Sequence, residues 1–294
     1  MNNIGSVYSN RGDLVQALDF YQQALRILRQ VGDRPGEAAT LNNIGMVHDD
    51  RGDPEQALDF FQHALRILGQ VGDRAGEATT LNNIGLAHHN RGELKQALDS
   101  YQQALPIRRQ VGDRDGEAAT LNNIGGVYSN RGDLVQALDF YQQALPIRRQ
   151  VGDRAGEATT LNNIGMVHHN RGDLKQALDF YQQALCILRE VGDRAGEATT
   201  LNNIGAMHHN RGDLEQALEF HQQAVTIRRL LPAGRDHSPA GRRRDRRSGD
   251  PLQRRHAPPS GLYRLRRLHR ALRRAGLTGI GRADGQGSFI DAVG

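Results

Sequence analysis

The sequence predicts an all-α protein: an α-solenoid of antiparallel helix pairs followed by a basic C-terminal tail. Three observations predict it. The motif LNNIG recurs at 41, 81, 121, 161 and 201, and Asn2-Asn3-Ile4-Gly5 repeats it with Met1 in place of the leucine. Within each period, apolar residues fall at helical spacing. Between the helical stretches come Gly-Asp pairs that stop one helix and start the next. A fixed period of this size marks stacked units, because one such unit cannot bury its apolar face alone.

Each unit reads as two helices. The first runs from about Gly156 to Arg171 in the fifth unit, with Ala158, Leu161, Ile164, Gly165 and His168 on one face. Asp153 stands at the cap position, and Glu157 places negative charge in the first turn, where the helix dipole favours it. Gly165 lies in the middle of the apolar face, where glycine costs about 1 kcal/mol of helix propensity. Its recurrence in all six units predicts a close approach of two helices.

The second helix is plainest in the first unit. Leu14, Ala17, Leu18, Tyr21, Ala24, Leu25 and Leu28 form a single stripe. Asp13 is its expected cap, with Gln16 three residues on. The second unit has Asp53-Pro54 there, with proline at the first helical position, where its missing N–H costs nothing. Gly12 and its equivalents supply the left-handed residue that ends the preceding helix. Pro106 and Pro146 fall late in the second helices of units three and four, and each removes one helical hydrogen bond and is expected to bend the last turns. Arg26, Arg66, Cys186 and Thr226 occupy that place elsewhere, so the fold does not require the bend.

The repeats occupy residues 1–230, the first unit being truncated at its N-terminus, and residues 231–294 form an Arg-rich tail. Of the 38 Lys and Arg, 23 lie in the repeats, against 28 of the 33 Asp and Glu. The repeats are thus net −5 and the tail, with 15 Arg and 5 Asp, net +10. The tail's composition predicts disorder or a shifted reading frame through GC-rich coding sequence. It contains one candidate helix near 262–275, where Leu262, Leu265, Leu268 and Leu272 are separated by arginines. A docked end cap, or a basic helix for nucleic acid or an acidic membrane surface, are the other readings of this tail. A single cysteine, Cys186, rules out an internal disulfide and fits a reducing compartment. The N-terminus has neither the basic start nor the apolar run of a signal peptide. No stretch approaches the roughly 18 apolar residues of a membrane span. A cytoplasmic protein is expected.

The units resemble tetratricopeptide repeats. Leu161, Ile164, Gly165, His168, Ala177, Tyr181 and Ala184 fall on that family's small and large signature positions, and Tyr8 and Tyr128 carry its usual aromatic where unit five has His168. The period is longer than the family's about 34 residues. In this the units are similar to the repeats of LGN-type polarity adaptors and, more loosely, of kinesin light chains. The resemblance implies a right-handed superhelix with the added residues in the second helix and the turn after it. It also implies a concave face, lined by the first helices, that binds extended peptides or helical segments.

The units are close copies. GDRAGEATTLNNIG is identical at 72–85, 152–165 and 192–205, and residues 5–25 and 125–145 differ only at Ser6 versus Gly126. Duplication in blocks of three units accounts for this, and it leaves little time for a ligand site to diversify unit by unit. A solenoid normally carries a polar cap at each end. Unit one begins inside its first helix and unit six ends on an ordinary apolar face. A longer natural array, a fragment, or end-to-end self-association are the readings this leaves.

A helix wheel selects the candidate groove independently. Opposite Leu161 and Gly165 lie Thr159, Asn163, Met166 and Asn170, with Asn162 and His169 on one flank. Stacked across units, these positions make two amide ladders. One comprises Asn3, Asn43, Asn83, Asn123, Asn163 and Asn203. The other comprises Asn10, Asn90, Asn130, Asn170 and Asn210, interrupted by Asp50. His89, His169 and His209 line the same side. A carboxamide has two donors and an acceptor, so it can pair with the main chain of a partner whatever that partner's sequence. The competing use of these amides is to satisfy neighbouring helices within the solenoid. The family's clamp for C-terminal carboxylates needs cations on this face, and the groove positions carry none, so such binding is not expected.

Other motifs reduce to structure. Adjacent histidines such as His168-His169 point about 100° apart on a helix and do not converge on an ion, so no metal is expected. Groove histidines are expected to make binding mildly pH-dependent. Arg-Gly-Asp occurs five times, at 11–13, 51–53, 131–133, 171–173 and 211–213, but reads as a helix stop followed by a helix cap, and Glu93 replaces the aspartate in unit three. No phosphate loop, nucleophile elbow or dinucleotide fingerprint is present, so neither catalysis nor a cofactor is expected. The expected function is a protein-interaction scaffold that takes protein or peptide partners. The alternatives are the sensor region of a larger signalling or proteolytic protein, and nucleic-acid binding through the tail.

Overall fold

Short connections with a fixed chemistry set the rhythm of the chain, described over residues 1–231 by a computed structural model. Gly12, Gly32, Gly52 and their successors to Gly212 all have φ between 72° and 89°, a region open to glycine and strained for residues bearing a Cβ. The aspartates that follow Gly32, Gly72, Gly112, Gly152 and Gly192 cap the next helix. Asp33, Asp73, Asp113, Asp153 and Asp193 each accept a hydrogen bond from the backbone N–H three residues on, at 2.9 Å. Capping places the start of the fifth first helix at Arg154, two residues before the expected Gly156.

The Arg-Gly-Asp aspartates behave differently. Only Asp13 accepts the capping bond, from Gln16 N at 3.3 Å. Asp173 instead faces Arg171 Nε and His168 Nδ1, both at 3.4 Å, and Asp213 faces Arg211 and His208 in the same way. Glu93 binds His88 at 2.6 Å and Arg91 at 2.9 Å. In these units the carboxylate lies beside the arginine two residues before it instead of on the backbone amide.

Twelve α-helices follow one another among the described residues. They are α1 (Asn2–Asn10), α2 (Leu14–Val31), α3 (Arg34–Arg51), α4 (Pro54–Val71), α5 (Arg74–Asn90), α6 (Leu94–Val111), α7 (Arg114–Arg131), α8 (Leu134–Val151), α9 (Arg154–Arg171), α10 (Leu174–Glu190), α11 (Arg194–Arg211) and α12 (Leu214–Leu230). In units two to six, both helices have 17 or 18 residues and the connections two or three. The longer period is therefore shared equally between the two helices, and the turn after the second is as short as the turn before it. Pro106 and Pro146 lie inside α6 and α8, which run on to Val111 and Val151, the residues equivalent to the last of α4. The tail at 232–294, including the candidate helix near 262–275, lies outside the described residues.

Each helix packs against its partner in the unit and against the helix that follows. The backbones of first helices of successive units also come close, α1 to α3, α3 to α5 and on to α9 to α11, whereas among the described residues no second helix has its backbone that near the next second helix. The first helices are thus the crowded, inner layer. The core is a ribbon running between the layers. Tyr21 and Leu25 of α2, Leu41, Ile44 and Val47 of α3, and Ile67 and Leu68 of α4 form one cluster spanning two units. Stacking does the burying: Ile44, packed between units one and two, is 1 % exposed, but its counterpart Ile4 in the first unit is 45 % exposed. Full burial of one such side chain is worth about 1.5–3 kcal/mol.

The repeated glycine of the first helix has the role its position implies. A Cβ built on Gly45 would lie 2.5 Å from the Phe61 ring, and one on Gly85, Gly125 or Gly165 2.6–2.8 Å from Tyr101, Tyr141 or Tyr181. Beside this contact a second aromatic pair closes every unit but the third, where Ser100 replaces the phenylalanine. Tyr8, His48, Tyr128, His168 and His208 stack nearly parallel on Phe20, Phe60, Phe140, Phe180 and Phe220, with centroids 5.2–5.4 Å apart. Histidine therefore stands in for tyrosine as a flat core-facing ring.

Glu37, Glu117, Glu157 and Glu197 are buried at the unit junctions, each held between two arginines. Arg29 Nε meets Glu37 Oε1 at 2.9 Å from across the connection, and Arg34 meets Oε2 at 2.6 Å. Arg109, Arg149 and Arg189 repeat the first contact at 2.8–2.9 Å. For Glu37, burial raises the pKa but the two arginines outweigh it and hold the carboxyl below its usual range. Unit two breaks the pattern: Gly69 stands where the arginine belongs, and Glu77 keeps only Arg74.

Two stability predictions follow from these contacts. Gly165→Ala gains about 1 kcal/mol of helix propensity but drives a methyl into Tyr181, an overpacking cost of about 1–3 kcal/mol. The variant melts below the parent; a higher melting temperature would refute the close-approach account. Gly69→Arg removes a helix glycine and restores the second partner of Glu77. It raises stability by about 1 kcal/mol, read by thermal melting at low and high salt, with part of the gain lost at high salt.

Candidate partner-binding groove

The inner layer presents the residues selected on the helix wheel, and the structure joins many of them. Asn83 Nδ2 donates to Asn42 Oδ1 at 3.2 Å, Asn123 to Asn82 at 3.1 Å, Asn163 to Asn122 at 3.2 Å and Asn203 to Asn162 at 3.2 Å. Each bond runs back 41 residues, to the flanking asparagine of the preceding unit. Thr120 and Thr160 add their hydroxyls to the same acceptors at 3.3 Å. In the first junction Asn2 turns to Thr40 Oγ1 at 2.7 Å instead, leaving its buried Oδ1 without a partner beside unit two, where Asn43 sits.

The second ladder makes the same step back. Asn90 Nδ2 donates to Asp49 at 3.0 Å, Asn130 to His89 Nε2 at 2.6 Å and Asn210 to His169 Nε2 at 2.9 Å. An amide nitrogen can only donate, so each of these imidazoles accepts at Nε2 and carries its proton at Nδ1. Burial pushes the pKa of His89 and of His169 below the ordinary 6.5, which keeps both rings neutral. Asn170 and His209 lie exposed on the same layer.

These bonds leave chemistry to spare. Asn83, Asn123, Asn163 and Asn203 each use one of their two N–H groups, so the second N–H and the Oδ1 remain for another group. Met46 and Leu86 stand exposed in the same layer, 48 % and 40 %, at a position that varies between units, reading Ser6, Met46, Leu86, Gly126, Met166 and Ala206. The surface thus pairs a uniform polar track with a varied apolar one. Among the described residues no group of three or more His, Cys, Asp or Glu gathers as a metal site would require, and no helix is long and apolar enough to cross a membrane.

Three features escaped the sequence reading. The flanking asparagines Asn42, Asn82, Asn122 and Asn162 are the acceptors of the first ladder; their invariance beside the ladder was the available signal. The Arg29–Glu37–Arg34 arrangement was visible only as scattered charges. Arg108, at a position that is leucine in units one, two and five, is 7 % exposed and binds the capping carboxylate Asp113. Arg148 does the same with Asp153 and reaches Asp115 at 2.7 Å.

The chain's fold has well-matched counterparts. It aligns with BtubC (BKLC) from P. vanneervenii at 19 % identity and a TM-score of 0.65, over 84 % of this chain and 99 % of that one. It aligns with the Rap conjugation gene regulator of plasmid pLS20, in complex with the Phr* peptide, at 16 % identity and a TM-score of 0.60, over 76 % and 72 %. The third is a signal transduction ATPase with a tetratricopeptide repeat sensor from Pyrococcus horikoshii, at 16 % identity and a TM-score of 0.66, over 78 % of this chain and 35 % of that one. At these identities the likeness is one of fold. Comparison with curated protein sequences gives no match. The tetratricopeptide repeat family model matches residues 1–70, 76–150 and 156–229, and with the paired helices and inner layer described above it places the chain in the tetratricopeptide repeat family.

Proposed function

We propose that this chain binds an extended segment of a protein partner along its inner layer, in a binding rather than a catalytic role. The observation that carries the reading is the spare capacity of the asparagine ladder. Amides spaced one unit apart, pinned by a single bond each, offer a fixed N–H and C=O to a passing main chain. Pinning matters energetically, because a group already held loses less freedom when it binds. In support, the plasmid pLS20 Rap protein of like fold was crystallised with a peptide, as was a Rap protein with competence and sporulation factor. The single cysteine supports placing this activity in a reducing compartment such as the cytoplasm.

A second reading is a regulatory repeat region of a larger protein. It is favoured by the match to little more than a third of the P. horikoshii protein, whose repeats form its sensor. Genomic sequence downstream of Leu230, read in all three frames, decides it: an effector domain there supports it and its absence counts against it.

The groove reading is tested by panning the full chain against a phage library of random peptides of about twelve residues. Asn83→Ala, Asn123→Ala and Asn163→Ala together should cost roughly 0.5–1.5 kcal/mol of stability per amide, retain the helical circular dichroism signal, and weaken the selected peptides at least tenfold. Unchanged affinity in the folded triple variant would sink the proposal.

The depressed pKa values of His89 and His169 set the pH behaviour. Their folded pKa lies below the unfolded 6.5, so their contribution to stability is complete above 6.5, declines below it, and is gone once pH has fallen through the lower folded value. Peptide capture should be flat above pH 6.5 and weaken below it. A titration step above 7 would contradict this.

A further inference from the structure

Units one and four are identical over residues 5–25 and 125–145 except at Ser6 and Gly126. This is the varied position of the inner layer. In unit one, Ser6 Oγ lies 3.0 Å from Tyr21 Oη, so the buried ring has a partner for its hydroxyl. Gly126 offers Tyr141 no such group. Tyr141 is 1 % exposed, and its hydroxyl makes no hydrogen bond among the described residues. Burial pushes its pKa well above the ordinary tyrosine range, so it remains a neutral hydroxyl. Unit three shows the same hydroxyl closed over: Tyr101 Oη is fully enclosed and unpaired, with Leu86 at the register of Gly126.

Packing does not demand this glycine. A Cβ on Gly126 would meet His89 Cε1 at 3.5 Å and Tyr141 Oη at 3.8 Å, both ordinary contacts. On the neighbouring Gly125 it would lie 2.7 Å from the Tyr141 ring, which no side chain tolerates. Glycine in mid-helix costs about 1 kcal/mol relative to alanine. Residue 126 therefore sacrifices propensity at a place where the fold accepts a side chain. The result is a position without a side chain, with the Tyr141 hydroxyl and the His89 imidazole, held by Asn130, next to it. At the same register on the adjoining first helices stand Leu86 and Met166.

We propose that Gly126 forms a notch that receives one side chain of the extended partner. That side chain is neutral, with an apolar stem and a hydrogen-bonding tip, in the class of glutamine or threonine. Its stem lies along the Leu86 and Met166 register, and its tip bonds the Tyr141 hydroxyl as Ser6 bonds Tyr21. A charged tip is disfavoured, because a hydroxyl and a neutral imidazole provide no countercharge for the desolvated ion. A purely apolar side chain would displace water from the hydroxyl and leave it unpaired. This inference rests on the groove reading above.

The test repeats the peptide selection with the full chain, Gly126→Ser and Gly126→Met. Both substitutions install residues already found at this register in other units, and circular dichroism and melting confirm folding. The parent should select peptides with Gln, Thr or another neutral polar residue enriched at one register. Gly126→Ser supplies the missing hydroxyl internally and Gly126→Met fills the space. Each should bind the parent's peptides at least tenfold more weakly and select peptides without that preference. Equal affinity of parent and both variants for the same peptides, where the triple asparagine variant still loses them, overturns the notch and leaves the groove reading intact. Enrichment of charged or wholly apolar residues at the register overturns the proposed chemistry. Failure to select any peptide overturns the notch together with the groove reading.

Discussion

A missing carbon atom sets the distance between the two helices of every unit. At Gly45, Gly85, Gly125 and Gly165 an added Cβ would enter the ring of Phe61, Tyr101, Tyr141 or Tyr181. The ring can therefore lie flat against the backbone of the first helix, and the largest buried side chains of the protein are these rings. Everything downstream depends on that depth of approach. It brings the stacked pair of residues such as His168 and Phe180 into register and lets core clusters reach across unit junctions, as between units one and two. In unit six the ring is His221, with slightly more room, and it bonds Asn202 at 2.9 Å rather than filling an apolar slot.

Polar groups at the unit junctions do two kinds of work. At the connections, buried glutamates are clasped by arginines from both sides, which ties the end of one unit to the start of the next. Along the inner layer, asparagines step back 41 residues from unit to unit. Net stabilisation by such a bond is modest, about 0.5–1.5 kcal/mol. Its more specific effect is orientation: the amides are held in one pose with an N–H and a C=O still unused. The same residues thus serve the stacking of the solenoid and the surface it presents, so the two uses considered for them are compatible.

Near-identity of the units makes the exceptions informative. Gly69 removes one arm of a clasp, Arg108 and Arg148 put cations where units one, two and five have leucine, and Gly126 leaves the varied inner-layer position without a side chain. Arg108 and Arg148 each leave a buried Nε without a partner. An ion pair in that setting contributes little beyond what leucine would, because desolvation offsets the attraction. Their capping carboxylates Asp113 and Asp153 bind the backbone through one oxygen and the arginine through the other. Such differences fall on a scaffold whose backbone hardly notices them, and a solenoid of local contacts tolerates this because each unit answers only to its neighbours.

The sequence by itself determined the family, the helix stops at glycine, the caps at Asp33 and its equivalents, and the meaning of the core-facing glycine. These are local matters: helical period, φ > 0 at a stop, and the volume of one residue are written in residues close together along the chain. It also picked out the inner-layer asparagines as a face. What those amides bond to was decided only by the tertiary structure. The partner of Asn163 is Asn122, that of Arg29 is Glu37, and Asp173 turns from its backbone cap to Arg171 and His168. Each outcome depends on the angle and offset at which one helix meets another, and that geometry comes from close packing of whole faces rather than from any motif. A difference of one residue, Ser6 against Gly126, is silent in the pattern and acquires meaning only from the tyrosine hydroxyl beneath it.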